Sequence, residues 1–235
     1  MSERTSTART SAARSWVALA ILFPLLLWGC RSLVQSESHP ALARRKEPIT
    51  SLAVAPVVFP AAPGGQSEDP DPALRDKAGL VVRHLAEAFA ARGIEVVTVG
   101  DLARAAGSDS PEAARTPRHW AELAKREFGV DAVVITTLRR FVEREGQAAG
   151  TLHPASVAFD VAIHAAGGGA LLWSSVFDET QRSLSENVLV AGQYPGGGTR
   201  WLTASELARF GAQQTAEQAP VRAGGRGSSG VGAQP

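Results

Sequence analysis

The chain has 235 residues, 44% of them hydrophobic, and its 24 Lys and Arg nearly balance its 23 Asp and Glu, for a net charge of +1 at pH 7. This length suffices for one ordinary domain with a buried core, and the balanced charge lacks the basic excess that is typical of nucleic-acid-binding proteins. The single cysteine excludes a disulfide within the chain and a metal site built from several thiolates.

The first 29 residues have the composition of a secretory signal peptide. Three arginines precede an uncharged, largely apolar run over residues 15–29, which is shorter than the roughly 20 residues of a membrane-spanning helix. A basic leader followed by a short apolar region is typical of a cleaved signal. We expect residues 1–29 to be removed, which takes away three arginines and one glutamate and leaves a mature charge of about −1.

The only cysteine follows this run directly, in the sequence Leu27-Trp28-Gly29-Cys30. The tetrapeptide resembles a bacterial lipoprotein box, in which cleavage follows the glycine and the thiol receives a lipid such as palmitate, although a small residue is usual where Trp28 stands. The resemblance implies a lipid anchor on Cys30 and, because Arg31 rather than Asp follows, a place on the periplasmic face of the outer membrane. The alternatives are an uncleaved N-terminal anchor and a buried cysteine in a plain signal peptide.

Two polar segments flank the region that we expect to fold, residues 49–219. Residues 30–48 lack hydrophobic periodicity, which predicts a flexible tether between membrane and domain. Residues 220–235 are rich in Gly, Ser and Pro with few apolar groups, and such a segment is expected to be disordered because it cannot bury enough surface to offset its ordering entropy.

The first half of the domain predicts strands and helices in alternation. Capping and stop signals delimit the helices, because Asp71-Pro72 and Thr116-Pro117 are typical helix starts and Gly93 and Gly129 typical ends. The predicted elements are a strand at 51–59, a helix from 72 to Gly93, a strand at 94–99, a helix from 117 to Gly129 and a strand at 131–144.

The second half predicts an antiparallel hairpin followed by a helix. Residues 156–164 alternate between apolar and polar side chains, residues 167–169 are all glycine, and residues 170–180 alternate again. Residues 203–206, "TASE", form a capping box for the last helix. The inward side chains are predicted to be Val157, Phe159, Val161 and Ile163 on the first strand and Leu171, Trp173 and Phe177 on the second.

The sum is an α/β fold with a single domain, in which one mixed sheet combines a parallel βαβ half with an antiparallel meander and carries packed helices. The stretches "SVAFDVAIHAAGGGALLWSSVFDETQRSLSENV" and "RWLTASELARFGAQ" resemble a group of uncharacterised bacterial periplasmic lipoproteins. Its fold relatives are the curli-secretion lipoprotein, the penicillin-binding-protein activator lipoproteins and the amino-terminal domain of TolB. The resemblance implies a location and a fold, and fold alone does not give function.

The sequence offers no convergent set of catalytic residues. Its five histidines are scattered without metal-ligand spacing, no G-x-S-x-G is present, and the two GGG runs lack the Lys-Ser/Thr of a phosphate loop. His84 is expected at the surface, His164 at a strand end, and Asp178, Glu179 and Glu186 as ordinary acidic caps. We therefore expect no catalytic residue, no cofactor and no metal.

A long connection at 181–201 is the strongest candidate for a binding surface, because long ordered loops in compact domains are often functional. Its Arg and aromatic residues belong to the types enriched at binding hot spots. The alternative for Trp201 is that it only closes the edge of the core. The candidate partner-binding residues are Arg182, Tyr194, Arg200 and Trp201.

These observations favour a non-catalytic interaction or assembly module of the cell envelope, with an envelope protein as partner. A subunit of an outer-membrane secretion pore is the main alternative; it would need extra strands of roughly 9 to 11 residues with a lipid-facing apolar band, whereas the strands of the predicted hairpin are already required by the domain's own sheet. A hydrolase is the third alternative.

Overall fold

The computed structural model describes residues 33–59, 72–107, 116–182 and 192–224. The predicted signal peptide, Cys30 and Asp71 lie outside these ranges. The described strands are β1 Val34–Ser38, β2 Ser51–Val54, β3 Glu95–Val97, β4 Ala132–Val142, β5 Glu145–Gln147, β6 Gly150–His153, β7 Ser156–Ala165 and β8 Leu171–Thr180. The described helices are α1 Pro40–Ala43, α2 Pro72–Ala91, α3 Val99–Ala106, α4 Pro117–Phe128 and α5 Ala204–Gln218.

Six strands form one mixed sheet in the order β1-β8-β7-β4-β2-β3. Strand β2 runs parallel to β3 and β4, whereas β4, β7, β8 and β1 pair antiparallel in succession. The predicted α/β class, with a parallel half and an antiparallel meander, is therefore confirmed. Strands β5 and β6 form a separate hairpin that connects the end of β4 to the start of β7.

The helices pack on both faces of the sheet, each through its apolar side. Helices α2 and α5 cover one face, where Leu85, Phe89 and Leu207 are fully buried with the inward side chains of the hairpin. Helices α3 and α4 cover the other face through Leu102 and Trp120. Strand β2 and the first half of β4 are thus buried on both faces, as is usual for parallel strands, whereas the edge strand β3 is partly exposed.

The segment predicted as a flexible tether contains structure. Residues 34–38 form the edge strand β1, in which Val34 lies opposite Phe177 and Ser38 opposite Trp173. Helix α1 follows, and the Gln218 side chain of α5 donates a hydrogen bond to the Val34 carbonyl. The expectation of a tether fails for residues 34–43 because a strand at the edge of a sheet can be polar along most of its length; only Val34 is buried.

The first residues of the segment predicted to be disordered, 220–235, pack against the domain. Val221 is buried and bridges Ile49, and the Arg222 N–H donates to the Ile49 carbonyl over 2.9 Å. Arg92 donates from its guanidinium to the carbonyls of Ala219 and Val221. Residues 225–235 lie outside the described ranges.

The hairpin of β7 and β8 carries the predicted alternation, with one correction. Val157, Phe159 and Trp173 are at most 2% exposed, as predicted, and the Phe159 and Phe177 rings lie 5.2 Å apart. The register shifts between Ile163, which pairs with Trp173, and His164, which pairs with Leu171. This bulge places Leu171 opposite His164 rather than on the buried face, and Leu172 is buried instead.

Helix boundaries follow local capping. The Thr116 side chain accepts from the His119 N–H, and Thr203 and Glu206 form the predicted capping box of α5. The predicted strand at 94–99 is shorter than expected because Thr98 caps α3 by accepting from the Asp101 N–H. Thr98-x-x-Asp101 is itself a start signal, so the sequence contained the evidence for this helix.

Candidate functional site

The candidate surface from the sequence is the connection that leaves β8 and enters α5. Its middle, residues 183–191, lies outside the described ranges. The two ends of the connection are described, and a set of polar contacts that we call the loop base holds them together. The loop base consists of Glu143, Arg144, Glu179, Gln181, Tyr194, Arg200, Trp201 and Glu206.

Gln181 is the centre of the loop base. Its side chain is 2% exposed, and it donates from Nε2 to the Arg200 carbonyl over 2.8 Å while Oε1 accepts from the Leu202 N–H over 2.6 Å. Its own N–H donates to the Ala155 carbonyl. A buried amide with its donor and acceptor both used ties the start of the connection to its end, so the two ends are fixed relative to the sheet.

Tyr194 is a core residue and not an exposed anchor. Its side chain is 3% exposed, its ring lies 5.7 Å from that of Phe210, and its hydroxyl donates to Glu179 Oε1 over 2.6 Å. Burial and this hydrogen bond raise the pKa of the Tyr194 hydroxyl. The ring is therefore inaccessible to a partner, and the expectation of a binding role for Tyr194 has to be replaced by a structural one.

Arg200 pairs with the capping box of α5. Its two terminal nitrogens donate to the two carboxylate oxygens of Glu206 over 2.8 and 2.9 Å. The Arg200 guanidinium, together with the N–H and hydroxyl of Thr203 that also donate to Glu206, lowers the pKa of Glu206 to about 2. Such a bidentate pair is among the stronger charge-assisted contacts, and the Arg200 side chain is still 42% exposed.

Trp201 is half-buried and is fixed through its backbone. Its N–H donates to the Ala148 carbonyl over 2.9 Å, and its carbonyl accepts from Arg144 Nη1 over 3.0 Å. These contacts join the connection to the β5–β6 hairpin. Arg182, immediately after the buried Gln181, is exposed, so Arg182 and Arg200 are the predicted residues whose charged groups reach the surface.

The other titratable residues singled out in the sequence also have internal partners where the structure describes them. His164 Nδ1 lies 2.9 Å from the Gly169 carbonyl oxygen. Asp178 pairs with Arg139 and Arg140, and Glu186 lies outside the described residues. The acidic residues named from the sequence are thus explained, where they are described, by structural contacts.

The expectation of a surface position for His84 is wrong. The residue is 3% exposed because α5 packs across it, and Nε2 lies 3.3 Å from Ser205 Oγ. Burial lowers the pKa of its imidazole. A pattern of polar residues on one helix does not show which of them a second helix covers.

A second polar cluster lies at the opposite end of the sheet. Asp131 Oδ2 accepts from the backbone N–H and hydroxyl groups of both Thr50 and Ser51 over 2.8 to 3.1 Å, and Arg45 Nη2 lies 3.2 Å from Oδ1. Burial opposes ionisation, but these donors lower the pKa of Asp131 overall. The carboxylate links the starts of β2 and β4, so its role is structural.

Within the described ranges, no group of three or more His, Cys, Asp and Glu side chains could hold a metal ion. In the same part of the chain, no helix has the length and apolar character needed to cross a membrane.

No protein-family model matches this chain, and no curated protein sequence matches it. Solved structures of similar fold include the PelC dodecamer from Paraburkholderia phytofirmans, with 18% identity, 79% of this chain and 96% of that chain covered, and a TM-score of 0.44. Lipoprotein GNA1162 from Neisseria meningitidis has 18% identity, with 60% of this chain and 90% of that chain covered, and a TM-score of 0.36. The C-terminal domain of LpoB from Escherichia coli has 17% identity, the same coverages and a TM-score of 0.35. These are distant similarities of fold, and no activity follows from them.

Proposed function

We propose that the chain is a lipid-anchored, non-catalytic interaction module of the bacterial cell envelope. The observation that carries the proposal is the order of features at the N-terminus: a basic leader, a short apolar run, Leu27-Trp28-Gly29-Cys30, and then a strand of the domain that begins at Val34. An acyl chain contributes about 0.8 kcal/mol per buried methylene, so several chains on one cysteine hold a domain at a bilayer stably. The outer membrane is the proposed location because Arg31 follows the cysteine.

The polar side chains of the domain support a non-catalytic role. Gln181, Glu206 and Asp131 use their donors and acceptors to hold backbone segments in place. Strand β7 pairs on both sides, with β4 and β8, and β8 pairs with β7 and β1. The hairpin strands therefore serve the domain's own sheet, which favours a module over a pore subunit.

We propose Arg182 as the contact residue for an envelope protein partner, with the exposed edge of Arg200 beside the same connection. Tyr194 is withdrawn from this surface because it is buried. Arg182 is exposed and directly follows Gln181, whose side chain is hydrogen-bonded to the Arg200 carbonyl and the Leu202 N–H. The backbone at this point therefore has little freedom left to lose when Arg182 binds.

The anchor is tested by fractionation of Cys30→Ser. The variant is expected in the soluble fraction, or in membranes at the size of the unprocessed precursor, whereas the wild type is found in membranes at the mature size. Recovery of the variant in membranes at the mature size would contradict the anchor.

The partner contact is tested by crosslinking in intact cells. Arg182→Ala is expected to reduce the crosslinked product at unchanged abundance, because exposed substitutions usually change stability by about 0.5 kcal/mol or less. Arg104→Ala is the matched control, since Arg104 is also exposed but lies on α3 at the other face of the sheet. Equal crosslinking by both variants would contradict the assignment.

A further inference from the structure

The edge strand β1 fixes where the chain leaves the domain. It runs antiparallel to β8, with Val34 opposite Phe177 and Ser38 opposite Trp173. The chain that precedes Val34 therefore departs at the end of the sheet where β8 finishes, at Thr180, which lies opposite Ser156 of β7. Leu33, the first described residue, is half-buried against the core.

Cys30 is only three residues before Leu33. Three extended residues span at most about 11 Å. The inference that follows rests on the proposed lipid at Cys30. With the lipid in the bilayer, the short connection holds this end of the sheet close to the membrane surface.

The same end of the sheet carries an exposed apolar projection. The β5–β6 hairpin extends from it between Val142, the last residue of β4, and Ser156, the first of β7. Leu152 on β6 is 83% exposed and Val142 is 49% exposed; within the described residues no other large apolar side chain is as exposed as Leu152.

The hairpin is held in a defined position. Trp201 donates from its N–H to the Ala148 carbonyl, and Arg144 donates to the Trp201 carbonyl. Thr151 donates from its hydroxyl to the Glu145 carbonyl over 2.6 Å. A single exposed apolar side chain is common on protein surfaces; this one differs because it projects on a fixed hairpin at the end where the anchored chain departs.

We propose that the β5–β6 hairpin is a second membrane contact, in which Leu152 enters the interfacial region of the bilayer that holds the lipid on Cys30. The occupant of this surface is the bilayer itself, because the covalent anchor brings lipid to within a few residues of the start of β1, which lies two strands from β7 at the same end of the sheet. Several acyl chains on Cys30 already attach the domain stably, so the hairpin contact serves to orient the domain at the bilayer. Arg182 follows Gln181 at this end, so the proposed partner would be met at the membrane surface.

The opposite end of the sheet then faces away from the membrane. The turn between β7 and β8, residues 166–170, is separated from Ser156 by the ten residues of β7, a distance of about 33 Å along the strand. Gly168 in this turn is exposed, and a side chain introduced there would have open space around its Cβ, with no heavy atom within 4 Å. It is therefore a suitable control position.

The test uses the full-length protein, extracted from membranes and reconstituted in phosphatidylcholine vesicles. Leu152→Cys and Gly168→Cys each introduce one thiol, which is labelled with an environment-sensitive fluorophore. The label at position 152 is expected to be quenched several-fold more by brominated lipid than the label at position 168, and to be shielded from iodide in the aqueous phase.

Equal quenching at the two positions, in protein that co-sediments with the vesicles, would overturn the membrane contact and leave the anchor intact. The wild type serves as the second control, because an acylated Cys30 cannot react with the label. Labelling of the wild type, or its failure to co-sediment, would overturn the anchor and the membrane contact together.

Discussion

Two glycines in the middle of helices are expected to respond to alanine with opposite signs. Gly79 lies on the exposed side of α2 with open space around it, so Gly79→Ala should raise the free energy of unfolding by up to about 1 kcal/mol, the usual difference in helix propensity. Gly211 lies in α5, where an added Cβ would stand 2.6 to 2.8 Å from three ring carbons of Phe177.

The magnitude at Gly211 follows from that approach. Carbon atoms pack best at about 3.5–4.0 Å, and Phe177 is fully buried and in contact with Phe159, so its ring has little room to move. Overpacking typically costs about 1–3 kcal/mol, which exceeds the gain in helix propensity. After subtracting the helix-propensity gain of about 1 kcal/mol, we expect Gly211→Ala to lower the free energy of unfolding by up to about 2 kcal/mol.

Urea unfolding, followed by tryptophan fluorescence, measures both variants against the wild type. The cost of Gly211→Ala should shrink when Phe177→Leu is also present, because the two changes share one contact. If Gly211→Ala stabilised the protein, as is expected of Gly79→Ala, the close packing of α5 against Phe177 of β8 would be contradicted.

Two further predictions concern the loop base. Tyr194→Phe should lower the free energy of unfolding by about 1–2 kcal/mol because it removes the hydrogen bond to Glu179, and Tyr194→Ala should lower it by about 3–5 kcal/mol because it empties a buried site. Urea unfolding measures both variants, and a loss below about 0.5 kcal/mol in Tyr194→Ala would place Tyr194 at the surface. The pKa of Glu206 is lowered from 4.5 to about 2, so its contribution to stability is complete above pH 4.5 and is lost as the pH falls toward 2. Solvent screening of this partly exposed pair limits the loss to about 1 kcal/mol. Arg200→Ala removes the largest cause of the pKa shift and leaves the Thr203 donors in place, so its unfolding curves should show a smaller pH dependence between pH 4.5 and 2; an unchanged dependence would contradict the pairing.

Features that depend on neighbours in the sequence could be predicted. The Thr116 and Thr203 caps, the glycine turn and the alternation of β7 are set by residues within a few positions of one another. Features set by distant residues could not. The polar strand β1 is ordered because β8 lies beside it, and His84 is buried because α5 crosses α2.

The candidate site shows the same division. Residue type favoured Arg182, Tyr194, Arg200 and Trp201 together, since Arg and aromatic residues are common at interfaces. Arg and aromatic side chains also stabilise the interior of a fold. Tyr194 is buried because Phe210 and Glu179, from other elements, complete its surroundings, and composition alone carries no information about those partners.

The most direct test of the account is the intact mass of the protein extracted from membranes. We predict a chain that starts at Cys30 and carries the added mass of acyl groups, all located on the N-terminal peptide after digestion. A chain that still starts at Met1, or an unmodified Cys30, would contradict the lipid anchor on which the proposed function and the membrane orientation both depend.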